Sequence, residues 1–442
     1  METEDKKSER ELFSSKFGFI ISCIGAAVGL GNIWMFSYRL GAYGGAAFLI
    51  PYFIFVFLLG TTGLIVEFAF GRSHRAGSLT GIQRIFKSKK IKGATLWGSV
   101  PMIGLTGILI FYSVVIGWIL RYFYLSVTGD LFNQDHEALF NNFTGSSSAI
   151  PWTLMAVLIT LAIVFSGIAK GIEKLNKIAI PLLMIIFLLM IIRSTTLPGS
   201  MAGVKYLLQP QWSALLSIET WVMALGQAFF TVSLTGCALV VYGSYAHENA
   251  DLVSSSFNTA FYDSIAALMA AFMIIPAVFA FGLDPAAGPS LLFITLPKVF
   301  GMMPYGQPLS VLFFLSIIFA AITSSVSMLE GPVEAIIAST KIKRRKATIL
   351  VAALAASLAI PLTLDNQLFE KFADFITIIL SPIGAMFLAF VAVYLYSDKL
   401  LQEINKSRHH PIGRWFITYA RYIYVPITVL IIILGIVFGG IG

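Results

Sequence analysis

Residues 25–36 read Gly-Ala-Ala-Val-Gly-Leu-Gly-Asn-Ile-Trp-Met-Phe, inside an apolar run from about residue 17 to 39. A run of that length can cross a bilayer, which takes about 20 apolar residues. Yet Gly25, Gly29, Gly31 and Asn32 fall at its middle depth. About 200 residues later a second apolar run is interrupted in the same way, by Ser233-Leu-Thr-Gly236-Cys. Unwound backbone inside hydrocarbon is tolerated only where protein or a cavity satisfies its polar groups. Matched, glycine-interrupted spans in two halves of a chain are the sequence sign of an inverted-repeat transporter with its site at the breaks. Gly25 and Gly29 also form a GxxxG pair, which alone would favour close helix packing. Asn32 beside them, with the matching break in the later span, turns the reading toward broken helices.

The rest of the chain fits a membrane bundle. Of its 442 residues, 57% are hydrophobic and only 12% charged, with a mean hydropathy of +0.85. Soluble domains carry about 25% charged residues, so a water-soluble enzyme, a disordered chain and a coiled coil are excluded. Apolar runs between charged or Pro/Gly-rich breaks predict eleven spans. They lie near 17–39, 44–70, 95–126, 151–168, 175–193, 215–243, 255–282, 308–339, 347–363, 368–397 and 415–440. The expected fold is an all-α polytopic membrane protein with 5+5 inverted-repeat architecture and helices 1 and 6 broken at mid-membrane. Residues 1–12 form a tail and 13–397 the transport core, with repeats of about 13–193 and 215–397. Residues 398–442 hold a loop and the final span.

The net charge of +8 reports orientation. Arg72, Arg75, Arg84, Lys87, Lys89, Lys90 and Lys92 share one loop that has no acid, and Lys341, Lys343, Arg344, Arg345 and Lys346 share another. The stretch 127–150 has no Lys or Arg but carries Asp130, Asp135 and Glu137. Basic loops stay cytoplasmic, which puts the N-terminus inside and, with an odd span count, the C-terminus outside the plasma membrane. No separate basic domain points to nucleic acid; the lipid bilayer is the expected partner surface. The polar start lacks a cleavable signal pattern, so the first apolar run is the expected insertion signal. Cys23 and Cys237 lie in apolar runs and suggest neither a disulfide framework nor a metal site. No HExxH, GxSxG or P-loop occurs, and nothing offers a nucleophile–base pair. The chain is therefore not read as an enzyme and needs no organic cofactor. A channel filter needs repeated rings or oligomeric symmetry; two different broken helices fit one occluded site better.

Polar groups inside the spans carry the expected chemistry. Ala320, Thr323 and Ser324 share a helix face at i, i+3 and i+4. Neutral hydroxyls and carbonyls suit Na⁺, but Ser and Thr also bond back to their own helix, and the residues alone leave both readings open. Intramembrane acids are functional hypotheses by default. Glu67 is placed to bond backbone amides of a broken helix, Asp263 to coordinate an ion or to sit as a neutral acid, and Glu330 to hold a proton or a structural hydrogen bond.

Several motifs together resemble the neurotransmitter:sodium symporter family. They are GAAVGLGNIWMF (25–36), GGAAFLIPY (44–52), GIAKGIEKLNKIAIP (167–181), GQAFFTVSL (226–234) and FAAITSS (319–325), all in order. The resemblance implies two co-transported sodium ions and a small amino-acid substrate. One ion would meet Ala27, Asn32, Thr231 and Asp263; the other Gly25, Val28, Ala320, Thr323 and Ser324. The substrate carboxylate would meet the amides near Leu30 and Gly31 and the Tyr112 hydroxyl, as free N–H groups of an unwound helix suit an anion. Its amine would meet carbonyls near Ala27, Phe230 and Thr231, and Ser233. Ile108, Tyr112, Phe230, Gly236 and Met328 would form an apolar pocket suited to a hydrophobic or aromatic side chain. Monoamine carriers of the family have Asp where this chain has Gly29, so a substrate bringing its own carboxylate is implied.

Departures from the family pattern shape further expectations. Asp263 stands where Asn is usual, and its charge is expected to replace a chloride ion. A family aromatic is replaced by Gly236, which should leave more room. Met35 replaces the outer-gate arginine, so Arg39 one turn outward is expected to face Asp374 through water. Arg10 and Phe13 match an inner-gate cation and aromatic, but Ala338 takes the acid's place. The whole implies a sodium-coupled symporter of a hydrophobic or aromatic amino acid. The alternatives are a carrier of another small amine or osmolyte and an amino-acid sensor that does not transport.

Overall fold

The computed structural model describes residues 11–284 and 291–440. Among these residues there is no strand, and nine helices are long and apolar enough to cross a membrane. They are spans 2 (Ala46–His74), 3 (Ala94–Thr128), 4 (Ser147–Phe165), 5 (Ile168–Thr195), 7 (Leu252–Ala280), 8 (Gly306–Ser339), 9 (Arg344–Leu364), 10 (Asn366–Leu395) and 11 (Trp415–Val437). Span 1 is two helices, Lys16–Ala27 and Gly31–Ala42, set at 58° to each other. Span 6 is also two helices, Ile218–Thr231 and Ala238–Ser244, with Val232–Cys237 unwound between them. A further bend of 120° joins Ser200–Leu216 to Ile218–Thr231. So sharp a reversal makes the first of these a helix leading into span 6, not a separate crossing.

Burial separates core from rim. Span 3 is buried over 83% of its apolar stretch, whereas spans 4 and 11 are buried over only 33%. Spans 3 and 8 pack along each other at the centre. The peripheral helices turn Leu158, Ile185, Ile433 and Ile436 outward, each more than half exposed. In water such a surface would aggregate; in a bilayer it is the expected lipid-facing side. Cys23 and Cys237 are free and buried, as small core residues.

Several helices contain π turns. Gly31–Met35 opens the second half of span 1 as a π turn, and Ile168–Glu173 begins span 5 the same way. Such turns are short and frequent at functional sites. Close approach requires glycine at Gly71, where an added Cβ would strike the Val240 carbonyl. That contact brings the inner half of span 2 against the inner half of span 6.

Candidate functional site between two broken helices

The break in span 1 is held by partners from spans 3 and 8 and from span 1 itself. Val28 leaves the helix with ψ 111°, and the Ser324 hydroxyl of span 8 donates to its carbonyl at 3.1 Å. Gly29 N–H donates to Asn32 Oδ1 at 2.9 Å, and Leu30 N–H donates to the Tyr112 hydroxyl of span 3 at 3.2 Å. An added Cβ on Gly29 would lie 2.8 Å from Ser324 Oγ and 3.2 Å from the Tyr112 oxygen. A side chain there, an aspartate included, would have to push the Ser324 hydroxyl aside and crowd the Tyr112 oxygen.

The break in span 6 is held in a similar way. Ser233 has φ +57°, sparsely populated for a residue with a side chain, and its hydroxyl donates to the Ala26 carbonyl at 2.9 Å. The two broken segments are thus tied to each other. Gly236 N–H donates to Glu67 Oε1 at 2.9 Å. Glu67 therefore does what its position suggested, satisfying an amide exposed by the unwinding.

Between the breaks lies a buried polar cluster. Asn32 Nδ2 donates to Thr231 Oγ1 at 2.9 Å and to Asp263 Oδ1 at 2.7 Å, and Thr231 Oγ1 donates to Asp263 Oδ2 at 2.8 Å. Asn32 and Asp263 are wholly buried, as Thr231 nearly is. Three side chains from spans 1, 6 and 7 thus converge at mid-membrane, with Ala27 on the adjoining cavity wall. In the second expected ion set, Ser324 reaches Val28, while Thr323 Oγ1 bonds back to Phe319 and Ala320 carbonyls at 2.9 and 3.0 Å. Thr323 thus bonds back to its own helix, whereas Ser324 bonds across to span 1. Both oxygens keep lone pairs for a cation.

A cavity opens beside this cluster. Ala27, Leu30, Gly31, Ile108, Tyr112, Phe230, Thr231, Ser233 and Met328 all line it. Gly236 does not; Leu234 and Thr235 line the wall in its place. The reason is local: Gly236 has φ +71°, and a Cβ would lie 2.8 Å from the Gly384 carbonyl oxygen. Span 10 therefore occupies the space that a side chain there would need, and the expected extra room does not arise at that residue.

The residues expected at the gates have partners of their own. Arg39 is buried and donates to Gln227 Oε1 at 3.1 Å. Asp374 is exposed, and no ion pair joins the two among the described residues. Of the expected inner-gate residues, Arg10 lies outside the described residues. Phe13 is buried against Phe19, Tyr242 and Tyr245, and its carbonyl meets His247 Nε2 at 2.6 Å. Glu330 is ion-paired, with Arg344 at 2.5 Å, and it accepts the Tyr245 hydroxyl at 2.6 Å. In the loop beyond, hydrogen bonds and charge from Lys406 and Arg75 hold the Glu248 carboxyl below its usual range.

Some contributors were not singled out from the sequence. Glu173 accepts Ser14 N–H at 2.6 Å and pairs with Lys177, and Glu11 accepts Ile168 N–H at 2.9 Å. The N-terminal tail is thus clasped to the start of span 5. Asn176 presses its Oδ1 against Gly25, and that oxygen has no hydrogen-bond partner among the described residues. Asn176 falls inside the quoted motif at 167–181, but among charged neighbours nothing in its spacing marked it as buried. Ser381, Thr428 and Ile431 extend the cavity wall, and nothing in their spacing distinguished them from packing residues.

Fold and site together define a multi-pass membrane transporter with paired broken helices. The family model described as "Sodium:neurotransmitter symporter family" matches residues 10–144 and 132–439. The uncharacterized sodium-dependent transporter YhdH of Bacillus subtilis is 34% identical, covering 96% of this chain and 97% of its own length. The uncharacterized sodium-dependent transporter MJ1319 of Methanocaldococcus jannaschii is 32% identical, over 96% and 90%. The crystal structure of MhsT in complex with L-phenylalanine superposes with a TM-score of 0.84 at 34% identity, over 96% of this chain and 99% of that one. The chain belongs to the sodium:neurotransmitter symporter family.

Proposed function

We propose that this protein carries a hydrophobic or aromatic amino acid into the cell with two sodium ions, by alternating access and without chloride. The observation that carries this reading is the junction of a charged cluster and an apolar cavity. Asp263, Asn32 and Thr231 close one side. Ile108, Phe230 and Met328 line the other. A zwitterionic substrate would set its carboxylate at the Leu30–Gly31 end of the break and its side chain in the cavity. The filled space at Gly29 supports a substrate that brings its own carboxylate. Met328 supplies an adaptable thioether wall. The L-phenylalanine bound in the MhsT structure supports the same substrate class.

Sodium would enter as cargo at the two oxygen sets, each ion adding about 2.3 kcal/mol per 100 mV of membrane potential. The basic loops support a plasma-membrane orientation with the N-terminus cytoplasmic. The test is uptake by proteoliposomes over the twenty amino acids, with inward and with collapsed sodium gradients. Accumulation of a hydrophobic or aromatic amino acid only with the gradient is expected. Binding without accumulation would indicate a sensor, and accumulation of a non-amino-acid amine alone would indicate the other carrier.

Arg39 gives a second test. Its guanidinium holds Gln227, whose Nε2 lies 3.4 Å from the Gly31 carbonyl. Arg39→Ala should loosen this link above the substrate, so that bound substrate exchanges faster while net uptake falls several-fold; a hydrogen bond to a charged group contributes about 1.5–3 kcal/mol. Unchanged uptake and efflux would show that Arg39 has no gating role.

A further inference from the structure

Span 11 opens at Trp415 and carries Arg421 six residues further on, about 9 Å along the helix axis. A cation inside a span calls for a partner. Tyr394, near the end of span 10, supplies part of one, with its ring centre 5.1 Å from the guanidinium carbon. The Tyr394 hydroxyl donates to the Arg421 carbonyl at 2.8 Å and ties the two helices together at that level. Arg421 Nη2 donates to the Val393 carbonyl at 3.3 Å. A guanidinium carries several further N–H donors, and among the described residues they find no acceptor. Nε is buried without a partner, and no ion pair reaches Arg421 among those residues.

The seam around this guanidinium faces outward. Tyr422 and Ile423 of span 11 and Phe390 and Tyr394 of span 10 are all exposed, on the surface that a bilayer would cover. Phe390 and Tyr394 stack at 4.9 Å, so rings wall one side of the cation. Arg414, Thr418 and Arg421 recur at i, i+4 and i+7 and make one stripe, on which Arg414 and Thr418 are exposed. Long side chains on a helix lean toward its N-terminus. Arg421 therefore reaches back toward Trp415 and the membrane boundary, where headgroups lie. We propose that the seam between spans 10 and 11 binds the phosphate of an anionic phospholipid, held by Arg421 and drawn in by Arg414. Arginine grips a phosphate with two parallel N–H bonds, and the unused N–H groups of Nη1 and Nη2 supply that fork. The acyl chains then lie over the exposed Tyr422 and Ile423. The site does not depend on which substrate the protein carries.

The test measures binding of dioleoyl phosphatidylglycerol and dioleoyl phosphatidylcholine to the purified full-length protein by native mass spectrometry. The two lipids share their acyl chains and a phosphate but differ in net charge. One basic side chain near the headgroups is worth about fivefold in binding an anionic lipid, so phosphatidylglycerol should bind about fivefold tighter or more. Arg421→Gln keeps a polar side chain but no charge, and should bring the two lipids within about twofold of each other. Should that variant fail to fold, Arg414→Gln takes its place: its side chain is 86% exposed. It should lower the preference about twofold or more. Equal binding of both lipids by the wild type would overturn the site, as would an unchanged preference in the variant measured. Displacement of phosphatidylglycerol by inorganic phosphate would overturn it in favour of a free-anion site. A changed oligomeric state in Arg421→Gln with the lipid preference intact would give the seam to a second copy of the chain instead.

Discussion

Replacing Asp263 by alanine is expected to abolish most sodium-driven uptake while leaving a folded helical bundle. The carboxylate accepts from Asn32 Nδ2 at 2.7 Å and from Thr231 Oγ1 at 2.8 Å, with no solvent exposure. Alanine would remove two hydrogen bonds to a charged acceptor, each worth about 1.5–3 kcal/mol, and leave Asn32 Nδ2 with only Thr231 Oγ1 and the backbone carbonyl of residue 263. At 1.4 kcal/mol per factor of ten, uptake should fall roughly thirtyfold or more. The charge matters separately from the hydrogen bonds. Asp263→Asn keeps an acceptor and the side chain's shape but removes the negative charge beside the ion set. That variant should regain uptake only when chloride is supplied, whereas wild-type uptake should be indifferent to chloride. Uptake measured in chloride and gluconate buffers separates the two effects. A wild-type protein that stops transporting without chloride would sink the charge-replacement idea, whatever the alanine variant does.

Glu67→Ala is the second substitution with a large expected effect. Glu67 is 3% exposed, and its Oε1 accepts the Gly236 N–H at 2.9 Å. An unsatisfied backbone group at membrane depth costs several kcal/mol, and Gly236 cannot recover by rewinding because its φ is +71°. The alanine variant should therefore lose substrate binding and melt several degrees lower. Glu67→Gln retains an oxygen acceptor and should bind substrate within about tenfold of wild type, a neutral amide–carbonyl bond contributing about 0.5–1.5 kcal/mol. Binding and thermal melting of the two variants, measured together, decide the point. If alanine and glutamine behave alike, the carboxylate does not hold the break in span 6.

How much of this was legible beforehand differs by kind of residue. The breaks announced themselves because glycine and polar residues in hydrocarbon contradict a plain spanning helix. Asn32 and Asp263 were visible for the same reason, since polar groups are costly there. The span positions were legible from apolar length, and the structure moves most ends by a few residues; span 5 starts seven residues earlier than expected, at Ile168, because a charged π turn extends it. Gly236 was misleading: its lack of a side chain suggested room, but span 10 closes on it. Arg39 and Asp374 were paired by resemblance to a family gate shifted by one helical turn, and such spacing says nothing about the angle between two helices. In the structure Arg39 turns inward to Gln227. Glu330 could be flagged as a buried acid, but its partner Arg344 lies 14 residues away beyond a helix end.

The sequence by itself determined that this chain is a bundle of membrane spans, which two are broken, and which residue types meet at the breaks. Those features are local, because hydrocarbon penalises each exposed polar group wherever it falls along the chain. Only the tertiary structure decided which carbonyl Ser324 reaches, which amide Glu67 satisfies and which residues line the cavity. These depend on the distances and rotations between helices far apart in sequence. Those are set by the packing of whole helix faces, which no single stretch of residues specifies.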